Sequence, residues 1–266
     1  MEYYFDLPKG RVFYRKMGRG ARTLIAFHGF ADEGALFAPF AESMSDYYTI
    51  YAIDLPFHGQ TEWKGDLYKP ADINRIITLI LERVNCLSYD LMGYSLGGTI
   101  ILSMMGNFIE SPERLLLLAP GGVKVRGLSG LSLVPLWAKK VIYRMTKNPN
   151  WLIALASLLN RIGLLHSFYI RYIKAHFREP QKRKRLLYTW YSLSFFRVDL
   201  QKVIEETEKK EIPVIIVLGS RDKIIDGVVV KNTFEHQKYF TILEVDNNHL
   251  MLNERVAGVL SDFLLE

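Results

Sequence analysis

The sequence predicts an α/β protein with a mostly parallel central sheet flanked by helices, and three observations carry that expectation. From Thr23 to about Ala119, short apolar β-type runs alternate with helical stretches, the sequence mark of βαβ units. After about Leu200 the alternation resumes with Pro213–Leu218 and Thr241–Val245. Within the first stretch, Gly93-Tyr94-Ser95-Leu96-Gly97 stands at the junction of a β-prone run and an apolar helical run. The chain of 266 residues, 49% hydrophobic and 23% charged, suits one soluble α/β domain with a large core.

The elements follow in order. Tyr3–Phe5 and Val12–Tyr14, around Pro8-Lys9-Gly10, predict an antiparallel hairpin at the sheet edge. Thr23–Phe27 and Tyr48–Ile53 are strands, with a helix between them from Ala35 to Met44. Pro70–Val84 has helical spacing, with Ile73, Ile76, Ile77, Ile80 and Leu81 on one face and Pro70 at a first-turn position. Ser88–Met92 is the strand before the glycine-flanked serine, Gly98–Met105 continues the helix after it, and Leu115–Leu118 is the next strand. The closing amphipathic helix runs through Val256, Leu260, Phe263 and Leu264.

Gly-x-Ser-x-Gly between a strand and a helix has a steric rationale. A serine at the tip of so tight a turn adopts a strained backbone that only small neighbours permit, and Gly93 and Gly97 supply the room. The turn lifts the Ser95 hydroxyl above the sheet and aims the first amide of the helix, that of Leu96, at the same space, where it stabilises developing negative charge. A serine needs a base and an orienting carboxylate. Loops after the C-terminal ends of parallel strands gather at one crevice, which selects Asp222 after Val214–Leu218 and His249 after Thr241–Val245. Asp226, four residues beyond Asp222, is the competing acid.

Taken together these residues resemble the α/β-hydrolase superfamily over nearly the full length of the chain. Phe27-His28-Gly29-Phe30 is similar to its oxyanion loop, and Asp54-Leu55-Pro56-Phe57-His58-Gly59-Gln60-Thr61 to its D-x-P-G-H-G-x-[ST] turn, with Phe57 in place of the usual glycine. Gly219-Ser220-Arg221-Asp222 resembles the acid loop, and His249 with Glu254 five residues on resembles the family's ending. The order Ser95, Asp222, His249 is the family's order. The resemblance implies catalytic Ser95, Asp222 and His249, and an oxyanion hole made by the backbone amides of Phe30 and Leu96. It gives His28, His58 and Asp54 structural roles, and Ser95 argues against the aspartate-dependent dehalogenases and epoxide hydrolases of the superfamily. His166, His176 and His236 have no such context and are expected to be solvated or packed at caps. No P-loop, dinucleotide fingerprint or Cys/His metal spacing occurs, so neither cofactor nor metal is expected.

Residues 122–199 interrupt the alternation without a clear strand, which divides the chain into a core of 1–121 and 200–266 and a helical insertion of 122–199, and the resemblance implies that this insertion is a lid. Leu131, Leu133, Trp137, Trp151, Leu155, Leu158, Phe168 and Trp190 are candidates to line an acyl pocket or simply to hold the insertion together. Residues 121–200 contain fifteen Lys and Arg against Glu179 and Asp199, whereas the rest of the chain has 19 basic and 26 acidic residues. Three readings of that charge stand open: an acidic acyl-carrier protein, an anionic membrane surface, or a solvated face. The elbow with Gly98 is similar to that of carboxylesterases acting on carrier-bound methyl esters. Nucleic acid is not expected, because nothing in the chain resembles a reader of bases.

The single cysteine, Cys86, fits packing and a reducing compartment, and the chain's opening residues lack a basic region followed by a long apolar run, so a cytoplasmic location is expected. The function expected is hydrolysis of a carboxylic ester or thioester in a small-molecule acyl substrate. Cleavage of a C–C bond or an amide, or a low-turnover ligand-binding receptor or interaction module, are the alternatives.

Overall fold

Apolar runs that are covered on both faces must be buried along their whole length. The computed structural model, which describes residues 1–65, 67–86, 88–123, 137, 149–163, 177 and 179–265, has five such strands: β3 (Arg22–Phe27), β4 (Tyr48–Ile53), β6 (Tyr89–Tyr94), β7 (Arg114–Leu118) and β8 (Val214–Gly219). Of their residues only Arg22 and Arg114, where β3 and β7 begin, are partly exposed. With β9 (Phe240–Val245) at one edge, they form a parallel array in the order β4-β3-β6-β7-β8-β9.

The other edge is antiparallel. β1 (Glu2–Leu7) and β2 (Gly10–Gly18) make the expected hairpin, β2 pairs with β4, and a two-residue β5 (Glu62–Trp63), not foreseen from the sequence, pairs with the start of β2. The edge strands β1 and β9 alternate or mix burial, as strands with one wet side do.

Helix α2 (Pro70–Val84) matches its sequence pattern: Pro70 opens it, Asp72 accepts from the Lys69 amide, and Asn85 closes it in the left-handed conformation at φ 50°. The expected helix from Ala35 to Met44 divides into a 3₁₀ turn over Gly34–Phe37 and α1 (Ala38–Ser43). Gly34 accounts for the first part, since its amide donates to Asp54 Oδ1 at 2.7 Å and so ties the turn to the loop after β4. Helix α3 (Leu96–Ser103) follows β6 directly. The insertion contributes α4 (Pro149–Arg161) and α5 (Pro180–Ser192), and α6 (Leu200–Lys210) leads back to β8. Helix α7 (Gly227–Phe234) lies between β8 and β9, and α8 (Glu254–Leu265) ends the fold against α1. Leu131, Leu133, His166, Phe168 and His176 lie outside the described residues.

At the N-terminal end of the parallel strands, Asp90 is wholly buried near the start of β6. Arg22 Nη2 donates to both its oxygens, at 3.0 and 3.2 Å, and also reaches Glu113 at 3.1 Å, while the Tyr48 hydroxyl donates to Asp90 Oδ2. A buried carboxylate so surrounded is paid for by its partners.

Candidate active site

The opposite end of the same strands carries the glycine-flanked serine. Ser95 has φ 49° and ψ −102°, a left-handed backbone rare for a residue with a side chain. Its neighbours make the turn physically closable. A Cβ on Gly97 would stand 2.0 Å from the Phe27 carbonyl oxygen, and one on Gly93 would stand 2.7 Å from the Gly98 nitrogen. Hydrogen bonds then lock the turn to both adjacent strands: Ser95 N donates to Leu118 O at 3.0 Å, and Gly97 N to His28 O at 3.1 Å.

Ser95, His249 and Asp222 are brought together from positions 154 and 27 residues apart. Ser95 Oγ is 3.0 Å from His249 Nε2, and His249 Nδ1 is 2.7 Å from Asp222 Oδ2. A carboxylate only accepts, so Nδ1 carries the hydrogen and Nε2 is left to accept from the serine hydroxyl. Asp222 Oδ1 in turn accepts from the Ile224 and Ile225 amides at 2.7 and 3.0 Å. Burial raises the Asp222 pKa, but the bonds from His249 and the two amides outweigh it, so the carboxyl sits below its ordinary value. Asp226 instead occupies the N-cap position of α7, leaving Asp222 as the acid that meets His249.

Two residues at this site escaped sequence reasoning. Tyr94 donates its hydroxyl to His249 O at 2.8 Å, with its ring 5.5 Å from the imidazole, and so holds the loop that carries the histidine. Asp32, two positions past Phe30, has its carboxylate against Gly29, beside the Tyr94 ring. Burial raises its pKa, and the positive charges of His249 and Arg185 oppose that rise. Tyr94 stood at a variable position of the serine motif and Asp32 in no motif, so neither role was flagged.

The structural readings of His28, His58 and Asp54 are matched by their contacts. His28 Nδ1 is 2.7 Å from Gly29 O, and its Nε2 accepts from the Leu55 amide at 3.0 Å, which defines a neutral ring with hydrogen on Nδ1. Burial lowers its pKa to about 4, and that of His58 to about 3. Asp54, wholly buried, accepts from the Gly34 and Gln60 amides and from Arg15. These bonds oppose the upward pressure of burial on its carboxyl. Phe57 holds φ 70°, the left-handed geometry in which a glycine is the easier choice. Its ring contacts Tyr68 and, at 5.0 Å, Tyr188 of α5, contacts that a glycine cannot make.

The apolar insertion residues divide. Trp137, Leu155 and Leu158 are 70%, 43% and 55% exposed, so they are not what packs the insertion together. Trp190 is half-buried on α5, and Trp151 begins the α4 run without a described side chain. His236 is solvated as expected, beside Glu235. Among the described residues no cluster of His, Cys, Asp or Glu is placed to hold a metal ion, and no helix is long and apolar enough to cross a membrane.

Comparison with known proteins bears on the fold. The uncharacterized hydrolase YugF of Bacillus subtilis is 24% identical over 98% of this chain and 96% of its own. A pimeloyl-[acyl-carrier protein] methyl ester esterase of Stenotrophomonas maltophilia is 35% identical over 86 residues, 32% of this chain and 30% of that one. The chain spans about a third of the length of most of the curated relatives it matches. Among solved structures, a thermophilic esterase from Thermogutta terrifontis superposes with a TM-score of 0.71 at 13% identity, over 100% of this chain and 98% of that one, a likeness of fold. The model of the alpha/beta hydrolase fold family matches residues 22–255, and with a sheet and a serine turn of that design the chain belongs to the alpha/beta hydrolase fold family.

Proposed function

We propose that the protein is a serine hydrolase that cleaves a carboxylic ester or thioester in a small-molecule acyl substrate through an acyl-enzyme. The observation that carries this reading is the continuous line of contacts from Ser95 Oγ through His249 to Asp222, at 3.0 and 2.7 Å. In the reaction His249 Nε2 takes the Ser95 proton as Oγ attacks the carbonyl carbon. Asp222 keeps the hydrogen on Nδ1 and stabilises the imidazolium. The tetrahedral oxyanion is received by the Phe30 and Leu96 amides, neither of which donates to any described residue. His249 then gives its proton to the departing alcohol or thiol. Water, deprotonated by the same imidazole, attacks the acyl-enzyme and releases the acid.

Residues 122–199 act as the lid in this reading, with α5 fastened over the loop after β4 by Tyr188 against Phe57. The charge of the segment suits an acidic carrier protein that presents the acyl group, the substrate form named for the Stenotrophomonas relative.

Labelling by a fluorophosphonate tests the nucleophile. The wild type should label rapidly, and Ser95→Ala should neither label nor turn over p-nitrophenyl acetate, with a loss of at least about 10⁴-fold. An unlabelled, folded wild type sinks the proposal. Lys182→Glu with Arg183→Glu tests the partner: carrier-bound ester should slow while free ester does not, and equal rates leave those charges as solvated surface.

A further inference from the structure

Six buried side-chain polar atoms among the described residues have no hydrogen-bond partner, and four of them belong to one region: His58 Nε2, Tyr68 Oη, Arg185 Nε and Thr189 Oγ1. Buried polar groups are nearly always satisfied, so a cluster of exceptions beside a candidate active site asks for a cause.

Arg185, Thr189 and Ser192 recur at i, i+4 and i+7 of α5 and therefore share one helix face. That face is turned inward: Thr189 and Ser192 are wholly buried, and Ser192 Oγ accepts from the Tyr68 amide at 3.1 Å. Phe57 fastens the same helix through Tyr188 and Lys184, and the next residue, His58, has its ring 5.9 Å from that of Phe30. At this inner end the Arg185 charge acts on His28, Asp32 and His58. The polar line thus reaches from beside the loop that carries Phe30 to Tyr68, which is itself wholly buried.

Its chemistry is specific. Arg185 Nε–H donates only, and the Thr189 and Tyr68 hydroxyls are both free to donate. His58 Nδ1 is 2.9 Å from Pro56 O and carries the hydrogen, so Nε2 adds one acceptor at the inner end. No carboxylate among the described residues lies within ion-pair distance of Arg185, although Asp32 feels its charge. A purely aliphatic chain laid along this line would leave every one of these groups unpaired. A carboxylate offers lone pairs to three donors and a countercharge to the guanidinium.

We propose that the inner face of α5 is a substrate subsite for a carboxylate, held by Arg185, Thr189 and Tyr68, and that the enzyme prefers acyl esters whose chain ends in that group. The subsite rests on the serine-hydrolase reading for its role in turnover, and its binding can be measured without it. Mono-p-nitrophenyl adipate and p-nitrophenyl hexanoate have equal chain length and differ in the terminal carboxylate. The wild type should show kcat/KM at least about tenfold higher for the adipate ester, and Arg185→Gln should lower that ratio at least about tenfold. Thr189→Val should lower it by a smaller factor. A wild-type preference for the hexanoate, or a ratio unmoved by Arg185→Gln, overturns the proposal. Calorimetry on Ser95→Ala with adipate monoethyl ester and with ethyl hexanoate repeats the comparison without catalysis. Tighter binding of the adipate ester, weakened by adding Arg185→Gln, supports the subsite even if no ester is turned over, whereas equal binding of the two rejects it. Melting temperatures of all variants separate a lost contact from a lost fold.

Discussion

The two ends of the central strands each gather an acid, a basic side chain and a tyrosine, and they use them in opposite ways. At the N-terminal end Asp90 is closed in by Arg22 and Tyr48, and the cluster runs on from Arg22 only to a second ion pair, with Glu113. At the C-terminal end Asp222 is held by two amides and His249, but the line continues to Ser95 Oγ, on a residue that is only partly buried. A network whose members are all satisfied by one another holds strands in register. One whose last member faces a crevice keeps a reactive group in place, and its tyrosine, Tyr94, serves the loop through the His249 carbonyl rather than the acid. Similar side chains therefore mean different things according to whether the chain of contacts ends in a paired charge or in a nucleophile at the crevice.

Exchanging the acids for amides should break this contrast most sharply. Asp222→Asn should lower kcat by about 10⁴-fold with a modest change in melting temperature, because the imidazole loses its orienting acceptor. Asp90→Asn should do the reverse: about 3 kcal/mol of stability lost in urea unfolding, because Arg22 and Tyr48 lose the buried carboxylate they share and Arg22 keeps only Glu113, with kcat in the folded protein unchanged. If both substitutions act on the same observable, the division between closing and opening networks is wrong.

A further contrast concerns pH. His28 and His58 are buried neutral, with pKa values lowered from 6.5 to about 4 and about 3. Between those values and 6.5 the unfolded chain binds protons that the folded chain refuses, so stability is full above pH 6.5 and falls on acidification. At pH 5 each histidine should cost about 2 kcal/mol relative to pH 7.5. Urea midpoints at the two pH values measure it, and His58→Asn should flatten the difference by about half; an unchanged slope would assign the loss elsewhere. The smallest effect is expected at Phe57→Ala, which keeps the left-handed backbone but removes the ring between Tyr68 and Tyr188. Hydrogen exchange in α5 should speed up by about tenfold, while β6 and β8 stay protected.

Much of the fold was legible in order of residues because its signals are short-range. The parallel strands announce themselves as unbroken apolar runs, and the Pro70 helix as a 3.6-residue stripe. Less legible were β5, only two residues long, and the 3₁₀ start before α1, which is set by a bond from Gly34 to Asp54, twenty positions away. The apolar residues of the insertion were legible as a group but not one by one. Leu155 and Leu158 are exposed, and α5 buries Thr189 and Ser192 along with Leu187.

By itself the sequence determined the strand-turn-helix at Ser95 and put Asp222 and His249 in the loops after their strands, because a sharp turn needs glycines at fixed offsets and loop residues follow their strands. Tertiary structure alone decided what surrounds them. The Tyr94–His249 clamp spans 155 residues, the Arg22–Asp90 pair 68, and the Tyr68–Ser192 bond that turns α5 inward 124. Such contacts depend on how distant elements pack, and no local spacing encodes them.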